Sequence, residues 1–257
     1  MDLGLDNRRA LVMGSTGGMG EAIARRLSSE GSRVVIAGRS SDKAVKIAKE
    51  LNDALSCTLD LADVESVDAA IQMISSHWGG VDIIVCNGGG PPPGPIALVE
   101  HNVWNAQFET MFTNQIRLVN AFLPGMRERG WGRILAISSS GIQQPIPNLG
   151  ISNAIRGAQV GWAKTLANEV AAEGVTVNIC APGRIDTDRL KQLDQAAAQR
   201  LGKDIQEIEK DSKATIPLGR YGTVAEFADT AVFLVSANAS YITGGVIRID
   251  GGMIRGI

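Results

Sequence analysis

Seven short runs rich in Val and Ile alternate with longer stretches of helical spacing, and this rhythm constrains the fold more than any other feature. The runs cover residues 9–13, 33–37, 54–59, 81–87, 133–138, 175–181 and 246–249. Most are hydrophobic almost without interruption, as strands covered on both faces must be. Between them, residues 19–29, 42–51, 64–77, 104–127, 153–172 and 224–236 read as helices. Strand followed by helix, repeated in this way, predicts a parallel sheet with right-handed crossovers. The expected architecture is therefore α/β: a doubly wound parallel sheet of about seven strands with helices on both faces. No linker-like shift in composition divides the 257 residues, so a single domain over 1–257 is expected. A hydrophobic fraction of 44% against 20% charged residues supplies the core such a domain needs.

Charge narrows the choice of partners. With 25 Lys+Arg against 27 Asp+Glu, the formal net charge is -2, and the pI is about 5.8. Neither a nucleic-acid binder nor a ligand of anionic membranes is expected from that balance. Apolar stretches such as 83–86 and 231–235 are too short to cross a bilayer. The opening residues lack a basic segment followed by an apolar one, so no secretory signal is read and a cytoplasmic location is expected. Cys57, Cys86 and Cys180 lie in separate apolar runs without Cys-x-x-Cys or Cys/His spacing. They read as buried reduced thiols, and no metal site is expected.

Two segments depart from the rhythm. Gly88-Gly89-Gly90-Pro91-Pro92-Pro93-Gly94-Pro95 must be a loop after the fourth strand. Residues 186–216 form a long insertion before the last helix. Its Leu190, Leu193, Ala197, Leu201, Ile205 and Ile208 recur every three or four positions, as in one or two amphipathic helices. A segment there either covers a ligand or simply packs, and spacing leaves both open.

The first strand ends in Met13-Gly14-Ser15-Thr16-Gly17-Gly18-Met19-Gly20 and leads at once into a helix. Glycines at this junction let backbone approach a diphosphate, and the helix N-terminus offers N–H groups to anions. Further along stand Leu59-Asp60-Leu61, Cys86-Asn87-Gly88-Gly89, the run from Asn178 to Gly183, and a tail from Gly244 to Gly252. In this set and order the chain resembles the short-chain dehydrogenase/reductase family over nearly its whole length. The resemblance implies a Rossmann-type fold and a nicotinamide dinucleotide cofactor. It also implies cofactor roles for Gly14, Ser15, Thr16, Gly18, Met19 and Gly20 around the diphosphate, and for Asp60 and Leu61 at the adenine. Asn87, Gly88 and Gly89 would line the cofactor, and Pro182, Gly183, Ile185 and Thr187 would hold the nicotinamide carboxamide. Where the second strand ends, Gly38-Arg39-Ser40-Ser41 contains no acid. A guanidinium and hydroxyls suit a 2′-phosphate, so Arg39 and Ser40 favour NADP, with NAD the alternative.

The family's catalytic residues are Asn, Ser, Tyr and Lys. By resemblance, Ser139 fits the serine. Counting on thirteen residues puts Ser152 where the family has Tyr, and Arg156 where it has Lys. Met111 falls on the Asn position, with Asn114 one helical turn further on. An aliphatic hydroxyl is a far weaker acid than a phenol, and arginine does not give up its proton. Ser139, Ser152 and Arg156 could still polarise a carbonyl or hold a proton-delivering water. Only Tyr221 and Tyr241 exist elsewhere; Tyr221 reads as a packing residue. His77 and His101 read as surface groups, while Gln143 and Gln144 are candidate substrate contacts or loop surface. The expected function is therefore NAD(P)-dependent hydride transfer on a small-molecule carbonyl or alcohol, with an altered proton-transfer site. The alternative is a weak or inactive nucleotide-binding protein with a sensing or partner role. The resemblance further implies a homo-oligomer, a tetramer or a dimer, joined through residues 104–127 and 153–172 and the C-terminal strand region.

Overall fold

A computed structural model describes residues 1–256. The strands are β1 Arg9–Val12, β2 Arg33–Gly38, β3 Leu55–Thr58, β4 Ile83–Cys86, β5 Gly132–Ile137, β6 Val175–Pro182 and β7 Val246–Ile249. They form one sheet in the order β3-β2-β1-β4-β5-β6-β7, and every neighbouring pair is parallel. The helices are α1 Gly18–Ser29, α2 Ser41–Lys49, α3 Val64–Trp78, α4 His101–Phe108, α5 Asn114–Glu128, α6 Gly150–Val170, α7 Asp188–Leu201, α8 Ile205–Ala214 and α9 Val224–Leu234.

Strand alternation divides the core into two layers. Leu11 and Met13 of β1 face a cluster with Val67, Ala70 and Ile74 of α3, Leu118 and Phe122 of α5, and Ala163 and Leu166 of α6. Ala10 and Val12 face the other way, onto Ile23 and Leu27 of α1, Ile47 of α2 and Phe227 of α9. Both faces of each central strand are therefore removed from water, which is why those runs show no polar alternation.

One expectation needs adjustment. The helix expected over 104–127 begins at His101 and is interrupted by a π-helical turn, Glu109–Thr113, between α4 and α5. Residue spacing carries no mark of that extra residue, because the apolar face resumes after it. The 186–216 insertion is two helices, α7 and α8, separated at Gly202 (φ 64°). Among the described residues, no helix is long and apolar enough to cross a membrane. The three cysteines are buried and unpaired, and burial pushes the Cys57 thiol up to about 11 and those of Cys86 and Cys180 up to about 12. Thiolate chemistry is suppressed at all three.

Candidate active site

Strand order reverses between β1 and β4. At such a switch point the loops leaving the carboxyl ends of the strands part and leave a crevice. Here the loops after β1, β4, β5 and β6 border it.

The turn from β1 into α1 is a cradle built around missing side chains. Gly14 and Gly18 have φ of 61° and 57°, in the left-handed region that favours glycine. A Cβ on Gly20 would overlap the Gly14 carbonyl and come within 2.7 Å of Asn87 Nδ2. Asn87, just past β4, donates from Nδ2 to the carbonyls of Met13 at 3.0 Å and Gly14 at 3.3 Å. It ties the two central loops together across the switch point. Ser15 lies under the turn: its hydroxyl donates to Val12 O at 2.6 Å and accepts from Ala37 N at 2.8 Å. Its own N–H donates to Ala37 O at 2.9 Å, so Ser15 shapes the turn from beneath. The Thr16 side chain fills the space beside Gly38, where a Cβ would fall 2.7 Å from Oγ1. Met19 packs inward onto the α1 side of the core, while the first N–H groups of α1 have no intrahelical partner.

Around this cradle stand the other expected cofactor positions. Arg39 is exposed at the end of β2 and makes no ion pair among the described residues. Ser40 caps α2, its hydroxyl accepting from Lys43 N at 3.4 Å. Asp60 closes a tight turn by accepting from Ala62 N at 3.0 Å. The carbonyl of buried Leu61 accepts from Asn114 Nδ2 at 2.9 Å. Asn114 is thus committed to bracing α5 against the loop after β3. Gly88 presses on Leu61 and Gln115, whereas Gly89 faces open space. Past the end of β6, Gly183 meets Asp250 so closely that a Cβ would fall 2.7 Å from its Cα. Buried Ile185 anchors the segment in the core. Thr187 caps α7 by accepting from Leu190 N at 3.2 Å, and its Cγ2 reaches within 3.6 Å of a Cβ placed on Gly18. The start of α7 therefore closes over the glycine turn.

The catalytic candidates gather at the mouth of β5. Ser139 caps a single 3-10 turn, Ser140–Ile142, its Oγ accepting from Gly141 N at 3.0 Å. The hydroxyl proton is left free to be donated. Asn153 of α6 clamps the following loop through both its amide atoms, bonding the N–H and the carbonyl of Ile146 at 3.2 and 2.9 Å. Sequence reasoning gave Asn153 no role, since its partner is set by a loop conformation. One residue earlier, buried Ser152 accepts from Arg156 Nε at 3.3 Å. Arg156 also donates from Nη1 to the Ile137 carbonyl at 2.8 Å, so α6 is pinned to the end of β5. Among the described residues no carboxylate pairs with Arg156. Burial, with repulsion from Arg189, lowers its guanidinium to about 10. Below that pH it is a fixed cation in the wall of the crevice.

The remaining candidates lie elsewhere. Tyr221 does more than pack: its hydroxyl donates to Asp194 at 2.8 Å, holding α7, and Tyr241 is fully exposed. His77, His101, Gln143 and Gln144 are exposed. The carbonyl of Met111, in the π-helical turn, accepts from Gln159 Nε2 of α6 at 3.2 Å.

A doubly wound parallel sheet with a glycine cradle at its switch point defines the dinucleotide-binding class of α/β proteins. Residues 14–254 match the family model described as Enoyl-(Acyl carrier protein) reductase, and the chain belongs to this short-chain dehydrogenase/reductase family. It is 34% identical over 254 residues to the 3-oxoacyl-[acyl-carrier-protein] reductase FabG of Vibrio cholerae, covering 98% of this chain and 99% of the relative. The FabG of Aquifex aeolicus is 35% identical over 259 residues, with 98% and 100% covered. Among solved structures, L-sorbose reductase from Gluconobacter frateurii, complexed with NADPH and L-sorbose, superposes with a TM-score of 0.93 at 31% identity and full coverage of both chains. Actinorhodin polyketide ketoreductase with NADPH gives 0.91 at 31% identity, with 97% of this chain and 98% of the other covered. These relatives are reductases.

Proposed function

We propose that this protein is an NADP(H)-dependent oxidoreductase acting on a carbonyl/alcohol pair, with a proton-transfer site altered from the family pattern. The observation that carries the reading is the Ser152–Arg156 pair, hydrogen-bonded on α6 and tied to the end of β5 beside Ser139. It sits in the crevice that begins at the glycine cradle. The cradle fits a dinucleotide because its glycines keep side chains off the diphosphate path, and Gly17 and Gly89 meet nothing within 4 Å.

When bound, the cofactor supplies or accepts the hydride. Gly14, Thr16, Gly18, Met19 and Gly20 receive its diphosphate, with Ser15 fixing the turn. Arg39 and Ser40 take the 2′-phosphate, and the unpaired Arg39 with no competing acid is what favours NADP over NAD. Asp60 and Leu61 border the adenine. Asn87, Gly88, Gly89 and Arg156 border the ribose, and Pro182, Gly183, Ile185 and Thr187 border the carboxamide. The Ser139 and Ser152 hydroxyls donate to the substrate oxygen. The Arg156 charge stabilises negative charge growing there, and a water held by these groups delivers the proton. α7 and α8 act as the lid, and the protein works as a homo-oligomer.

The test mixes purified protein with NADPH and a panel of ketones and 3-oxoacyl esters while cofactor absorbance is followed. Turnover is expected, slower than in Tyr-bearing relatives. Ser139→Ala should lower kcat/KM by about 10²-fold, the scale of one lost oxyanion donor. Undiminished turnover in that variant contradicts the role given to Ser139. Tight NADPH binding with no turnover on any carbonyl would instead establish a nucleotide-binding protein. If the missing phenol limits the rate, the double substitution Ser152→Tyr with Arg156→Lys should raise kcat, within the 10²–10⁴-fold that a positioned general acid typically supplies.

A further inference from the structure

Arg189, on the first turn of α7, is a cation placed where local interactions do not favour one. A helix N-terminus carries partial positive charge and disfavours a guanidinium. The acids next to it in sequence are engaged elsewhere: Lys191 lies 3.9 Å from both Asp186 and Asp188, and the Asp188 side chain is 98% exposed. Among the described residues Arg189 has no carboxylate within ion-pair distance. Its side chain reaches to the loop after β4 instead, donating from Nη2 to Pro91 O at 2.7 Å and to Gly90 O at 3.5 Å. There it joins the lid to the wall of the crevice.

Arg156, tied to Ser152 and to the end of β5, is also without a carboxylate, its Nη2 donating to no acceptor among the described residues. Buried Asp194 of α7 cannot neutralise either guanidinium, since its two oxygens are taken by Arg184 at 2.8 Å and by Tyr221 at 2.8 Å. Arg189 is exposed at the mouth of the crevice, so its guanidinium is open to an arriving anion. A carboxylate or phosphate answers the guanidinium fork with two oxygens at once.

We propose that Arg189 receives an anionic group on the carbonyl substrate, so that the preferred substrates are oxo acids or phosphorylated ketones. This rests on the oxidoreductase reading above. The substrate's ketone oxygen faces Ser139 and Ser152, and its anionic end faces the lid. Neutral ketones leave the Arg189 charge unanswered and bind poorly.

The test compares matched pairs at saturating NADPH: acetoacetate with methyl acetoacetate, levulinate with methyl levulinate, and dihydroxyacetone phosphate with dihydroxyacetone. Calorimetry of the NADP-saturated protein with malonate gives a second readout free of turnover. The expected result is a kcat/KM at least tenfold higher for the anionic member of one or more pairs, carried by KM. Whether the carboxylate or the phosphate pair shows it identifies the anion. Arg189→Gln should raise that KM tenfold or more, bring the ratio of the pair toward one and weaken malonate binding, and Arg189→Lys should recover part of each. Equal KM for the members of every pair, with no malonate binding, overturns the proposal. A tenfold rise in the NADPH dissociation constant of Arg189→Gln, with the pair ratios unchanged, also overturns it, because the anion is then the cofactor's own phosphate. No turnover on any ketone would overturn the oxidoreductase reading alone. Malonate binding that depends on Arg189 would still support the anion receptor.

Discussion

Asp82 shows how much of the molecule depends on single side chains at the amino-terminal end of the central strands, opposite the crevice. It is nearly buried at the start of β4 and is bonded by Arg9 Nη2 at 2.7 Å and Arg9 Nε at 3.0 Å, with Arg129 Nε 3.1 Å away. Burial alone would raise its carboxyl. Hydrogen bonds from the Arg9 side chain and backbone, with the charges of Arg9 and Arg129, outweigh that and hold it below its ordinary value. Its stabilisation is therefore complete above the unfolded value of about 3.9 and is lost as pH falls through the lower folded value. Asp82→Asn should cost about 3 kcal/mol at pH 7, since it leaves Arg9 and Arg129 uncompensated. The gap from wild type, measured by denaturant titration, should shrink below pH 4. A gap unchanged at pH 3 would show that hydrogen-bond geometry, and not charge, is what matters. The site is unevenly legible at this scale. Gly14, Gly18 and Gly20 could be read from spacing, because what matters there is the absence of a side chain. Asn114 could not, because its partner Leu61 lies 53 residues away in sequence. Arg189 could not either, because its significance is that no carboxylate pairs with it, and spacing cannot show that.

Among the elements, the strands were the clearest in sequence, since burial on both faces leaves uninterrupted runs. The π-helical turn was invisible, and so was the bracing under α7. Asp194 of α7 joins Arg184, just after β6, and Tyr221, just before α9, in one buried knot, and the raised Tyr221 phenol stays protonated and donates. α8 adds Lys213, whose Nζ lies 4.9 Å from the Tyr221 ring centroid. Tyr221→Phe keeps the ring and removes one hydrogen bond, at a cost of about 1 kcal/mol. Because the knot holds α7 and not the sheet, the effect should be local. Amide exchange should quicken across residues 188–214 and stay unchanged in β4 and β5, while KM for the carbonyl substrate rises more than kcat falls. Uniform loss of protection across the sheet would place the knot in the global core instead.

For the molecule as a whole, aromatic residues are scarce, at 4% of the chain, yet three of them gather on one outer face. The Phe108 and Phe112 rings are 4.9 Å apart, and Phe112 meets Trp162 of α6 edge-on at 6.4 Å. Val103 and Phe108 remain 39% and 38% exposed beside them. Half-covered aromatics and aliphatics on adjacent helices are what a subunit interface leaves showing on a single chain. The face is formed by α4, the π-helical turn and α6, the region through which family resemblance expects subunits to join. Light scattering should therefore give a mass of two or four times the 27.1 kDa chain. Phe108→Asp introduces a charge where contact would exclude water, and it should shift the protein toward a single chain while leaving far-ultraviolet circular dichroism unaltered. A wild-type protein that scatters as one chain at micromolar concentration would remove the assembly from this account. α6 carries both Trp162 on this face and Arg156 in the crevice, so freeing the face should also loosen the catalytic wall. In Phe108→Asp, loss of assembly and loss of kcat should therefore follow the same dependence on protein concentration.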